Sequence, residues 1–415
     1  MPRKRLLLSL ATSMIDQAWL SALNLALGLV LIRLATKETY GIYAQLYVGA
    51  LFVVSVSDSL IINPLTTRLN NGNLANRLPM IGASSSLQGR LALALSALAG
   101  LGALAIGISH QQADALATGL AFGAYVYANA LREFRRGLLF LDHRPDLVLK
   151  ADLRYGLALI ILITATVLTG HLTLPVVMTA LTLACIAAQV GQRRLPAPPL
   201  GDARRTLFLD IWKRGRLGLA GALASWVVNY SYLYAAALWL GVAATAELNA
   251  SRLLLMPIML GVVAWQRIAL PLFSRQHANH DHSATRKLAL GSMLSMLVGI
   301  GCYVSLLSLG LPWLTAHVLG PHYAGLEHLV LGWACYFASF TLRSICTTLL
   351  ISTDNYLPLL HTSLAGLAIM LVTLSVSLPS LGMAGAIFSV TLVEILGAAY
   401  LGAVYLGRHR QHTGT

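Results

Sequence analysis

Charge is what this chain has least of. Asp, Glu, Lys and Arg make up 11% of its 415 residues, less than half of the roughly 25% found in soluble domains. A water-soluble enzyme or binding module of this length is therefore excluded. Acidic residues are the scarcer sign, 15 against 29 Lys and Arg. Cysteine is rare too: Cys185, Cys302, Cys335 and Cys346 are the four. None forms a CxxC pair and all lie in apolar stretches, so they read as small packing residues rather than a disulfide framework or zinc site. There is no Walker loop and no GxSxG elbow, so no cofactor is expected. The tract His277-Ala-Asn-His280-Asp-His282 has metal-ligating residue types, but it falls in a charged connection and reads as a solvated loop.

Apolar sequence fills the space that charge leaves. Hydrophobic residues make up 57% of the chain and the mean hydropathy is +0.71. Apolar segments of about 20 residues or more, enough to cross a bilayer core as helix, run at 9–34, 41–64, 88–109, 114–136, 148–169, 172–191, 217–240, 244–272, 288–311, 325–351, 357–378 and 382–406. The expected fold is an all-α polytopic membrane protein with about twelve spans. The basic stretch Arg3-Lys4-Arg5 precedes an apolar run too long for a signal peptide, so the first segment reads as an uncleaved span.

The basic residues take sides. Except for Arg33, Lys37 and Arg252, every Lys and Arg falls in, or flanks, the even-numbered connections and the two ends. By the positive-inside rule, both termini face the cytoplasm. The formal charge of +14 is thus topology and contact with anionic membrane lipids, and nucleic acid is not an expected partner. The longest connection on the other side, 312–324, is too short to hold an extramembrane catalytic domain. That argues against a membrane polymerase, ligase or glycosyltransferase.

Pro196, Pro198 and Pro199 followed by Lys213, Arg214 and Arg216 break the apolar pattern. They divide the chain into a six-helix half at 1–192, a basic linker at 193–216 and a second six-helix half at 217–415. A shift of 206 positions lays Leu34–Ala44 over Leu240–Ala250 and brings Pro64 within one residue of Pro271 and Arg68 within one of Arg275. Two such halves resemble parallel repeats about an axis along the membrane normal, and enclose a central cavity.

Several short motifs carry a family likeness. Ser21 through Arg33-Leu-Ala, followed by Tyr40-Gly-Ile-Tyr43, resembles the opening of Wzx-type polysaccharide flippases of the multidrug/oligosaccharidyl-lipid/polysaccharide exporter superfamily, although Thr36-Lys-Glu-Thr replaces their usual Gly-Pro portion. Arg132-Glu-Phe-Arg-Arg136 with Arg154-Tyr155, Leu319-Gly-Pro-His-Tyr323 and Gly382-Met-Ala-Gly-Ala386 resemble later turns of the same family, so the likeness runs through the whole chain. The resemblance implies translocation, without bond chemistry, of an oligosaccharide on undecaprenyl pyrophosphate across a bacterial inner membrane. It also implies polysaccharide polymerase and assembly proteins as partners. A cation-coupled multidrug exporter of the same superfamily is the alternative.

Charges within spans are the candidate site, because each costs about 2.5–3.5 kcal/mol on insertion scales and so needs a partner or a wet cavity. Arg252 lies roughly 12 Å inside its span at 1.5 Å per residue. It reads as a cavity cation for pyrophosphate, a guanidinium being permanently charged and fork-shaped, or else as the partner of Glu247 or Glu394. Arg343 and Arg132 would form the cytoplasmic mouth of the same cavity, or snorkel to headgroups. Arg154 joins them as a substrate contact or carboxylate partner. Asn24 and Tyr230, equivalent under the shift, would line the cavity, and Trp226, Asn229 and Tyr234 share Tyr230's span. Asp16, Asp58 and Glu394 are the candidate ion-coupling carboxylates. Arg135, Arg136 and Lys150 read as interfacial anchors, and Arg33 as structural. No metal site is expected.

Overall fold

A computed structural model describes residues 3–71, 77–192, 195–197, 202–279, 281–323, 325–353 and 355–413. Arg193, Arg194, Pro198 and Pro199 of the expected linker, and His280 of the histidine tract, lie outside them. The described residues are helical, with no strand among them. The helices are α1 (Arg3–Leu34), α2 (Lys37–Ser57), α3 (Asn63–Asn71), α4 (Arg77–Ser109), α5 (Ala115–Leu141), α6 (Pro145–Leu168) and α7 (Leu174–Gln189). They continue as α8 (Asp202–Leu240), α9 (Val242–Leu253), α10 (Met256–Ala278), α11 (His282–Leu314), α12 (Glu327–Ser352), α13 (Leu357–Leu381) and α14 (Met383–Thr413).

Nine helical segments among the described residues are long and apolar enough to cross a bilayer. The expected twelve segments all fall on helix, but those at α5, α7 and α8 are not among the nine. Helix α7 has only 16 residues, and α5 carries Asn129, Arg132, Glu133, Arg135 and Arg136 within one polar stretch. Leucines that a soluble protein would bury, such as Leu168, Leu238 and Leu309, are about four-fifths exposed, at 81%, 82% and 81%. Such an outward apolar surface belongs in lipid.

Local chemistry explains the punctuation. Prolines open α6, α7, α10 and α13 in their first turn, where the missing N–H costs nothing. Gly241 joins α8 to α9 at φ +89°, and Gly382 ends α13 at φ +61°, a region only glycine enters freely. Between α2 and α3, residues Asp58–Ile62 widen into a π turn in which the Asn63 N–H reaches back to Asp58 O. Pro64 is the cause, since it has no N–H for the carbonyl four residues before it. The expected single span at 244–272 is in fact two helices. Pro257 cannot donate to Leu253, so the chain breaks at Leu254–Leu255, and Tyr303 Oη caps the freed Leu254 carbonyl at 2.7 Å.

The chain divides into two compact units, Met1–Val30 with Ile42–Leu223, and Leu31–Gly41 with Ala224–Thr415. Residues 202–216, expected within the linker, are the first turns of α8. In the first unit, α4 packs on α5, α5 on α7, and α6 on α7. Glycines let α4 and α5 approach closely: a Cβ on Gly100 would stand 2.9 Å from Gly119 O, and one on Gly119 would stand 2.9 Å from Gly100 O. Val56, Leu60, Ile61, Leu65, Met80, Phe134 and Leu138 form an apolar core beside the π turn. In the second unit, α14 packs on α12 and α13, and α12 also meets α9, α10 and α11.

Candidate functional site

Each unit buries one polar centre. In the first, α1, α5 and α6 converge on a charge network. Arg132 Nη2 donates to Asp152 Oδ1 at 2.5 Å and Nη1 to Glu133 Oε1 at 2.7 Å. Arg136 reaches Glu133 Oε2 at 2.7 Å, Asp16 Oδ2 at 3.0 Å and Asp152 Oδ2 at 2.7 Å. Trp19 Nε1 donates to Asp152 O at 2.9 Å, and the Arg132 guanidinium stacks on Tyr155 at 4.1 Å. Two guanidiniums thus meet three carboxylates, a formal excess of one negative charge in a buried place. Asp58, at the start of the π turn, is within electrostatic range of Glu133 and Arg136.

Several sequence readings change here. Arg136, expected to be an interfacial anchor, joins three carboxylates instead. Arg132 does not snorkel, because Glu133 and Asp152 hold it. Asp16 has Arg136 as its partner, and the carboxylate beside it is Asp152. Arg154 donates to the backbone carbonyls of Lys150 and Val190, capping the end of α7. Asn24 is exposed on α1 with no partner among the described residues. Of the cysteines, only Cys185 is fully packed inside, donating to Asn129 at 3.9 Å, while Cys302 and Cys335 are exposed. No His, Cys, Asp and Glu group able to hold a metal occurs among the described residues.

The second unit holds a different centre. Arg252 sits in the last turn of α9, just before the helix break, and is 8% exposed. Four rings surround its guanidinium: Trp333 at 5.4 Å, Tyr230 at 5.6 Å, Tyr336 at 5.9 Å and Tyr232 at 6.0 Å. Arg252 Nη1 donates to Tyr232 Oη at 2.9 Å, and the buried Nε has no partner. Among the described residues Arg252 makes no ion pair. Both carboxylates expected to neutralise it are engaged elsewhere, Glu247 with Lys37 at 2.5 Å and Glu394 with Arg343 at 3.1 Å. The guanidinium is thus held by π faces and one hydroxyl, with the Glu394 carboxylate within electrostatic range but not in direct contact. The hydrogen-bonding capacity of Nε is left unused among the described residues.

Glu394 is buried on α14, and its second oxygen, Oε2, has no hydrogen-bond partner among the described residues. Arg343 is half-buried against Gly397 and pairs with Glu394. Near the ends of the same unit, the two segments aligned by the 206-residue shift pack on one another. Lys37 meets Glu247 and lies 5.3 Å over Tyr323, Tyr40 Oη accepts from Asn249 Nδ2 at 2.7 Å, and Gly41 lies against the Val242 backbone. Arg33 lies against Gly320, which has φ +94°, so two motifs of the family likeness meet there.

Sequence reasoning missed Glu133, Asp152, Trp333 and Tyr336. Asp152 was findable as a charge within the 148–169 span. Trp333 and Tyr336 carried no signal, because aromatic residues three apart are ordinary in an apolar helix.

The chain is thus a multi-pass α-helical membrane protein with one polar centre in each unit. No family model and no curated protein matches its sequence, but solved structures share its fold. A lipid II flippase, MurJ, in an inward closed conformation, aligns with a TM-score of 0.75 at 11% identity over 95% of this chain and 87% of that one. An inward-facing multidrug resistance MATE family transporter of the MOP superfamily aligns at 0.71 and 12% identity, covering 94% and 93%. A MOP superfamily transporter from Pyrococcus furiosus, described as having a binding pocket of reverse polarity, aligns at 0.67 and 11%, covering 96% and 94%.

Proposed function

We propose that this protein is a flippase of the bacterial inner membrane that carries an undecaprenyl-pyrophosphate-linked oligosaccharide for polysaccharide, O-antigen or capsule assembly. It works by alternating access of two six-helix halves around a central cavity, with both termini in the cytoplasm. One observation carries this reading: Arg252 is buried and makes no direct ion pair among the described residues. A ligand anion would give Arg252 the direct counter-ion that no described residue provides. The pyrophosphate supplies the missing charge, and the prenyl tail stays in lipid. Fold likeness to a lipid II flippase is consistent with such a cargo. Arg343, Arg132 and Arg154 are proposed to guide the anion, Asn24 and Tyr230 to line its path, and polysaccharide polymerase and assembly proteins to receive the product.

The test is surface-glycan export in cells producing Arg252→Ala at normal membrane abundance. Export should be abolished, and normal export overturns the reading. The second reading, a cation-coupled multidrug exporter, draws on the likeness to the multidrug transporters and on the excess negative charge around Asp16. It predicts that Arg252→Ala still expels cationic dyes.

Asp16, Asp58 and Glu394 are proposed as the ion-coupling groups in either case. Translocation driven by a proton or sodium gradient should fail in Asp16→Asn, Asp58→Asn and Glu394→Gln. Gradient-driven rates equal to wild type in all three would remove the coupling role.

A further inference from the structure

Helix α8 carries a feature that anion binding does not use. Trp226, Tyr230 and Tyr234 recur every fourth residue and so share one side of the helix. The Trp226 ring lies 6.0 Å from that of Tyr230 and 5.6 Å from that of Tyr234. All three side chains are partly exposed. Tyr230 is also one of the four rings around Arg252, so the aromatic strip begins at the cation and leads away from it.

Asn229 sets a polar group beside this row of rings. It lies near the middle of the 217–240 apolar segment, where a polar group facing lipid would be costly. Its Nδ2 donates to Ser225 O at 2.7 Å, while its Oδ1 has no partner among the described residues. An amide acceptor on a half-buried side chain, beside partly exposed rings, has the composition of a carbohydrate site. The C–H face of a pyranose packs on the negative π face of an aromatic ring, and hydroxyls donate to the amide oxygen.

We propose that Trp226, Asn229, Tyr230 and Tyr234 form a saccharide-binding strip, which holds the first sugars of the cargo while Arg252 holds the pyrophosphate. This rests on the anion reading of Arg252 and adds to it a specificity for glycosylated over bare lipid carrier.

The test measures binding of two probes to the full chain in nanodiscs: undecaprenyl pyrophosphate, and the same lipid bearing one N-acetylhexosamine. Wild type should bind the sugar-bearing probe about tenfold more tightly, the scale of two ring contacts. Trp226→Ala and Tyr234→Ala should lose that increment, Trp226→Phe and Tyr234→Phe should keep it because a ring remains, and the lipid-facing Leu238→Ala should not alter it. No increment in wild type, or an increment intact in both alanine variants, overturns the strip. The anion reading fails separately, if Arg252→Ala binds the bare probe as wild type does. Should an alanine variant not reach the membrane, the phenylalanine variants and the wild-type increment still decide the matter.

Discussion

At the scale of single residues, the two polar centres call for opposite behaviour. In the first unit, Asp152 is wholly buried and shared by Arg132 and Arg136. Removing Asp152 breaks one ion pair of each guanidinium, while Asp16 and Glu133 still match the two positive charges in number. Asp152→Asn should therefore lower the thermal midpoint of the purified protein, by less than the roughly 3–5 kcal/mol of a fully stranded buried charge. A joint Arg132→Met and Asp152→Leu replacement should recover much of the loss, and equal midpoints for all three proteins would contradict the network's role. Arg252 breaks no ion pair when replaced, so its loss should be read mainly in function. The sequence pointed to Arg252 by its depth, yet not to its cage. Rings from α8 and α12 come together only in the folded chain, and hydropathy does not distinguish a cage ring from a core ring.

At the scale of elements, the sequence was most legible where backbone chemistry is local. Long apolar runs placed the helices, and prolines in the first turn account for the starts of four of them. The break after Arg252 was written in Pro257 but hidden inside an apolar run that continues on both sides. The π turn was hidden in the same way, because Pro64 does not reveal whether a helix kinks, breaks or widens. Close approach of α4 and α5 was equally hard to read, since Gly100 and Gly119 are two glycines among 35 and only pairing reveals which ones matter. Gly119→Leu should wedge these helices apart, because a Cβ there already meets Gly100 O and Leu104 at 2.9 and 3.0 Å. The yield of folded protein in mild detergent should fall steeply, whereas Gly102→Leu, at a glycine with open space around it, should be tolerated. Equal yields would show that the helices do not depend on that contact.

At the scale of the whole molecule, the charge pattern bears on orientation rather than on cargo. Basic flanks on alternate connections predict that a fluorescent reporter fused after Thr415 will fold in the cytoplasm and that alkaline phosphatase fused there will stay inactive. An active phosphatase fusion would refute the assignment of both termini to one side. Fold class followed from composition because the bilayer leaves a chain this apolar little choice but helix. Cargo did not follow, since it depends on a few side chains whose neighbours are distant in sequence.

The tip of the first hairpin, residues 31–41, belongs with the second unit rather than with the helices it connects. Lys37 finds Glu247 across 210 positions of chain. At synthesis rates of about 5–20 residues per second, that partner emerges about 10–40 seconds after Lys37 itself. During that interval the first two helices are in place with an unmatched end. Biogenesis of this protein is thus partly a matter of waiting, because one of the first segments made meets its partner only after more than half the chain has been synthesised.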